Sequence, residues 1–230
     1  MKYDLLLFDA DDTLLDFKKS ERVSFQIILE KNGIEGDVKT LHSSYKIINS
    51  QLWDQYAEGL ISQDFLKVER FRKFLETNNL EADPTQLCDD YLETLPSQVF
   101  LIDGAIQLLK TLHGKLPLVI VTNGISEVQH KRLFNSGLNP FIELTVISDE
   151  CGYTKPDPRI FDHTLEKLNR SLESSRTLMI GDKLETDILG AQNFKIDSCW
   201  FNPEKKSNST SIAPTYEIEN IIDLLKVLVI

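Results

Sequence analysis

Leu5-Leu6-Leu7-Phe8-Asp9-Ala10-Asp11-Asp12-Thr13-Leu14-Leu15 is the stretch on which the fold turns. From Tyr3 to Phe8 the chain is apolar apart from Asp4. The run is too short for a core helix, so it reads as a buried strand. Side chains alternate along a strand, which starts Asp9 and Asp11 on one side. Two carboxylates held together at the end of a buried strand repel each other. A shared proton, a Lys or Arg, or a hard divalent cation must neutralise them. Such a pair offers one group to attack an electrophile and another to move a proton. Aspartates also end strands as plain solvated turn residues, so the rest of the chain has to decide.

Beyond Leu15 the character changes. Residues 16–95 show no good strand. Ser20 suits the cap of a helix running to Asn32, which Gly33 would stop. Leu41, Tyr45, Ile48 and Leu52 recur at helical spacing. Ser62 suits the cap of a third helix carrying Phe65, Val68, Phe71 and Leu75. Asp83-Pro84 opens a fourth, with Pro at its first position, through Leu87, Tyr91 and Leu92.

From Asp103 helix and strand alternate. Helices are expected over 105–112, 126–135, 158–168, 187–194 and 218–228. Strands are expected over 118–121, 144–147, 177–180 and 198–201. The polar stretch 202–214, with Lys205 and Lys206, reads as a surface loop. Strands alternating with helices imply a parallel sheet covered on both faces, and the first strand must belong to it. The fold class is therefore α/β, a Rossmann-like doubly wound parallel sheet. Residues 1–15 and 98–230 form the core, and 16–97 form an α-helical domain inserted after the first strand.

The formal net charge of -11 argues against a nucleic acid polymer as partner through a broad basic face. A small phosphorylated substrate stays compatible, because a local cation inverts the field at one site. The cysteines, Cys88, Cys151 and Cys199, are odd in number and show no metal-ligand spacing. They read as buried reduced thiols. His42, His113, His130 and His163 are scattered and read as surface or helix-face residues. No apolar run has the length of a signal sequence or a membrane span. A cytoplasmic location and no membrane partner are the expectation.

In doubly wound sheets ligands bind beyond the carboxyl ends of the strands. The polar residues expected there are Asp9, Asp11 and Thr13; Thr122, Asn123 and Gly124; Ser148; and Asp182. Thr122-Asn123-Gly124 suits either an anionic oxygen or a helix cap. Lys155 stands in Lys155-Pro156-Asp157-Pro158, a stiff turn from which it could reach a carboxylate cluster. Gly181-Asp182 ends a strand, while Asp187 also suits the start of the following helix. Carboxylates without histidine make a hard, oxygen-rich site that selects Mg²⁺ or Mn²⁺ over Zn²⁺.

Together Asp9-x-Asp11-x-Thr13, Thr122-Asn123-Gly124, Lys155-Pro156 and Gly181-Asp182-x-x-x-x-Asp187 resemble the four motifs of the haloacid dehalogenase-like (HAD) hydrolases. The likeness covers the whole chain, with the helical insert where that superfamily carries a cap. It implies that Asp9 is the nucleophile, forming an aspartyl-phosphate, and that Asp11 is the acid and base. Thr122, Asn123 and Lys155 would bind the substrate phosphate. Asp9, the carbonyl of Asp11 and Asp182 would bind Mg²⁺, with Mn²⁺ as a substitute, and Asp187 would support that shell. Asp11 disfavours dehalogenation, since dehalogenases of the superfamily lack the second Asp.

The stretches from Phe8 to Leu14, from Val121 to Gly124 and from Asp187 to Ala191 are similar to the house-cleaning pyrimidine 5'-nucleotidase branch. That implies hydrolysis of nucleoside monophosphates. A sugar-phosphate phosphatase or a phosphomutase is the alternative, and a non-catalytic binder of phosphorylated ligands a remoter one. The insert is expected to close over the site and exclude water. Trp53, Tyr56 and Phe65 lie in it and are expected to pack its own core rather than a base.

Overall fold

The computed structural model describes residues 2–172 and 176–228. The chain forms two compact units, one of Met1–Phe17 with Phe100–Ile230 and one of Lys18–Val99.

The first unit is built on a six-stranded sheet. Its strands are β1 (Leu5–Phe8), β2 (Leu118–Thr122), β3 (Leu144–Ile147), β4 (Thr177–Gly181), β5 (Asp197–Phe201) and β6 (Tyr216–Ile218). They lie in the order β3-β2-β1-β4-β5-β6, and every pairing is parallel. β1 is central, and all four of its side chains are buried. Leu5 and Leu7 join Val119, Val121, Val146 and Met179 in one core layer, against Ile160, Phe161, Leu165, Ala191 and Phe194. Those residues come from two helices, Arg159–Lys167 and Leu189–Phe194. Leu6 and Phe8 point to the opposite face.

Register fixes what stands beside the end of β1. Phe8 pairs with Ile120 on one side and Ile180 on the other. The Asp9 amide continues the ladder by donating to the Ile180 carbonyl at 2.8 Å. The chain leaving β1 and the chain returning to this unit are paired as well. Leu15 and Leu101 form an antiparallel bridge, and the Asp16 amide donates to the Phe100 carbonyl at 2.9 Å.

The second unit holds α-helices Val38–Ala57, Gln63–Asn78 and Pro84–Thr94, together with most of Phe17–Lys31. Its centre is aromatic. Tyr45 touches Phe25, Phe71, Phe74 and Tyr91, with ring centroids 4.7 to 6.2 Å apart. Such ring pairs contribute beyond their area alone. The Ser62 hydroxyl accepts from the Phe65 amide and the Asp83 carboxylate from the Thr85 amide, so both caps are formed.

Four expectations need correction. Ser20 does not cap the first helix, which starts at Phe17 and buries Ser20 within it. Phe65 is 50 % exposed, because the buried stripe of its helix runs through Leu66, Phe71 and Phe74 instead. Trp53 and Tyr56 pair edge to face, outside the Tyr45 cluster. At the carboxyl end, Ile218 closes β6, so the final helix is reduced to a 3-10 turn at Ile221–Asp223 and Leu224–Val227. Among the described residues, no helix is long and apolar enough to cross a membrane.

Candidate active site

The carboxyl ends of β1, β2 and β4 bring the site residues together. Asp9 follows β1, Thr122 ends β2 and Asp182 follows β4. Lys155 reaches them from the loop after β3. Its side chain is 1 % exposed, and its ammonium donates to Asp9 Oδ1 at 2.6 Å and to the Val121 carbonyl at 2.7 Å. The same ammonium lies 2.7 Å from Asp187 Oδ1. A buried lysine stays charged only when paired in this way. Burial works to lower its pKa, but Asp187 and Asp9 outweigh it and hold Lys155 above its ordinary value.

Burial pushes the Asp9 carboxyl up to about 7; Lys155 opposes the shift, while Asp187 and Asp11 add to it. Burial, together with the two neighbouring acids, thus outweighs the pull of Lys155 on Asp9. Asp9, Asp182 and Asp187 each present an oxygen within 4.8 Å of the others. This all-oxygen set fits Mg²⁺ or Mn²⁺ and could hold either. A divalent cation there would reverse the shift of Asp9.

Asp187 differs from its expected place. Residues Leu184–Ile188 form a π-helical turn ahead of Leu189–Phe194, so Asp187 lies inside the turn, 1 % exposed, and caps nothing. Its Oδ2 accepts from the Lys183 amide at 3.1 Å. Gly181 makes room for it: a Cβ there would overlap the Asp187 carboxylate. Its carboxylate thus stands in the oxygen cluster, whereas that of Asp11 turns elsewhere.

Asp11 is held by the helix Ser126–Ser136. Arg132 Nη1 donates to Asp11 Oδ1, and Gln129 Nε2 donates to Asp11 Oδ2 at 3.1 Å. Gln129 Nε2 also donates to Thr122 Oγ1 at 2.9 Å. Asn123, expected to face an anion, instead clasps the Lys155 backbone. Its Nδ2 donates to the Lys155 carbonyl at 2.9 Å, and its Oδ1 accepts from the Lys155 amide at 2.8 Å. The Ser148 hydroxyl accepts from the Gly124 amide at 3.3 Å, and Thr13 is fully buried. Asp12 has φ 57, a left-handed position that short polar residues tolerate.

Sequence reasoning missed Gln129, Arg132 and Trp200. Gln129 and Arg132 are polar, one turn apart, and buried beside Val128 and Leu133. A polar pair on the apolar side of a helix was the available signal. Trp200, buried against Leu184 and Ile188, donates its indole N–H to the Asp182 carbonyl at 2.9 Å; nothing in the local sequence announces that bond.

A doubly wound sheet that gathers acids and a lysine at its strand ends defines a class of α/β proteins suited to anionic ligands and hard cations. Within that class the family is specific: residues 3–195 match the haloacid dehalogenase-like hydrolase model, and the chain belongs to that family. It is 33 % identical to the pyrimidine 5'-nucleotidase YjjG of Escherichia coli, over 99 % of each chain. It is 35 % identical to the pyrimidine 5'-nucleotidase PynA of Streptococcus pneumoniae, over 98 % of this chain and 94 % of the other. The magnesium-bound crystal structure of a Bacillus subtilis protein named as a HAD-hydrolase, YfnB, matches with a TM-score of 0.91 and 38 % identity over all of both chains.

Proposed function

We propose that the chain is a Mg²⁺-dependent phosphomonoesterase that hydrolyses pyrimidine nucleoside 5'-monophosphates through a phosphorylated Asp9. The observation that carries this reading is the Asp9 carboxylate at the end of β1, fixed through Oδ1 by the buried Lys155 ammonium. Fixing one oxygen orients the other for in-line attack. Similarity to the pyrimidine 5'-nucleotidases YjjG and PynA supports the nucleotide substrate. The magnesium in the YfnB crystal supports the metal.

Asp9 attacks phosphorus, and the ester P–O bond breaks as its oxygen takes a proton from Asp11. Water then attacks the phosphorus of the acyl phosphate and gives a proton to Asp11. The bond to Asp9 breaks, orthophosphate leaves and both carboxyl groups return to their first state. Lys155 and the Thr122 hydroxyl hold the phosphoryl oxygens, and Asn123 positions Lys155. Asp9, Asp182 and the Asp11 carbonyl would hold Mg²⁺, with Asp187 supporting them, and the ion would supply the positive charge that lets one anion approach another. Residues 16–97 act as the cap, and the reduced thiols suit a cytoplasmic enzyme.

The test is phosphate release over a panel of pyrimidine and purine monophosphates and sugar phosphates, with Mg²⁺ and with EDTA. Preference for pyrimidine monophosphates that EDTA abolishes is expected. Preference for sugar phosphates would overturn the substrate assignment, and metal-independent release would overturn the assignment of Asp182.

A further inference from the structure

We propose that Gln129 and Arg132 are a positioning pair that aims the proton-transfer group Asp11. The inference rests on the phosphomonoesterase reading above.

The network has one consistent set of roles. An amide nitrogen has two protons, and Gln129 Nε2 has two acceptors, Asp11 Oδ2 at 3.1 Å and Thr122 Oγ1 at 2.9 Å. The Gln129 side chain is fixed in turn, since its Oε1 accepts from Arg132 Nη1 at 2.7 Å. The same Nη1 donates to Asp11 Oδ1. Both Asp11 oxygens are thus gripped by donors on one helical turn. A carboxylate has about four lone-pair directions, so each oxygen keeps one for the travelling proton. Thr122 Oγ1, already an acceptor from Gln129, has its single proton left to donate, which suits an anionic phosphoryl oxygen.

The surroundings favour this arrangement. Gln129 and Arg132 are 2 % and 1 % exposed. Gly124 leaves the space that Gln129 fills, for a Cβ there would lie 2.7 Å from Gln129 Cγ. The Arg132 guanidinium lies over the Phe17 ring, 5.0 Å from its centroid, and its Nε and Nη2 have no hydrogen-bond partner among the described residues. A buried cation so sparsely satisfied depends on its carboxylate, which here is Asp11. Taking Asp11 away is costly, and the same dependence holds Asp11 in one place.

The test separates positioning from support. The ester oxygen of a nucleoside monophosphate needs a proton to leave, whereas p-nitrophenolate leaves without one. The ratio kcat/KM covers steps through cleavage of that bond, so slow hydrolysis of phosphorylated Asp9 does not mask it. Gln129→Met and Arg132→Met are expected to lose on the order of tenfold to a hundredfold on the nucleotide, part of what a general acid supplies. On p-nitrophenyl phosphate they are expected to lose far less. In an Asp11→Asn background the extra loss should vanish, and Arg132→Lys should restore part of it. Thermal unfolding by circular dichroism identifies any variant that fails to fold, and Gln129→Met then carries the test alone. Equal losses on both substrates, or losses that add to Asp11→Asn, would overturn the positioning role while leaving the phosphatase reading intact. Failure of the wild type to hydrolyse either ester would overturn both.

Discussion

Gly181→Ala tests the construction of the site without touching a charged group. The added methyl would overlap the Asp187 carboxylate. No real structure tolerates that overlap, so the carboxylate must move. In moving it gives up Lys155, now 2.7 Å away, and the Lys183 amide at 3.1 Å. Breaking a buried ion pair costs about 3–5 kcal/mol when one partner is stranded. Lys155 keeps Asp9 and the Val121 carbonyl, which reduces that figure; overpacking adds about 1–3 kcal/mol. A net loss of about 2–4 kcal/mol follows, or a midpoint roughly 5–15 °C lower. Gly137→Ala is the control: φ is 71 with nothing within 4 Å of the new methyl, so only backbone strain of about 1 kcal/mol is expected. In a Trp53→Phe background the fluorescence of the buried Trp200 follows unfolding of the sheet unit. A Gly181→Ala variant no less stable than Gly137→Ala would refute the packing of Asp187 against Gly181.

Two further outcomes follow from particular contacts. Trp200→Phe removes the donor to the Asp182 carbonyl and should weaken Mg²⁺ binding by about tenfold, as loss of a bond behind a ligand does; calorimetric titration with unchanged affinity would show that the bond does not orient Asp182. Burial pushes the Cys199 thiol up to about 12 and also raises Cys88, so neither supplies thiolate at neutral pH. A thiol reagent should therefore modify the half-buried Cys151 first and reach Cys88 and Cys199 only after unfolding; rapid modification of all three in the native protein would contradict their burial.

Five of the six strands were legible because they are short apolar runs, and β1, β2 and β4 lead into a polar residue with a chemical use. Asp9, Thr122 and Asp182 declare themselves by standing where Phe8, Val121 and Gly181 stop the apolar pattern. Less visible were elements too short to show a period. β6 has three residues, and its Ile218 fits a helix pattern equally well. Asp187 reads as a helix start because a π-helical turn has no separate signature in sequence. In the insert, Phe65 and Leu66 are adjacent, and only packing decides which of them faces inward. Gln129 and Arg132 were hidden for a different reason. They bond to one another and to Asp11 inside the fold, and a helical sequence gives the same letters to a solvated Gln and Arg. The Asn123 side chain bonds the Lys155 backbone, and an amide that clasps a backbone looks, in sequence, like one that awaits a ligand.

The central claim is that Asp9 is phosphorylated during turnover. Rapid acid quenching of the Mg²⁺-loaded enzyme with phosphorus-labelled pyrimidine monophosphate tests it most directly. The account predicts a burst of protein-bound label that hydroxylamine releases, that peptide mapping places on Asp9 and that Asp9→Asn abolishes. Phosphate release at full rate by Asp9→Asn, with no labelled protein at any quench time, would contradict it.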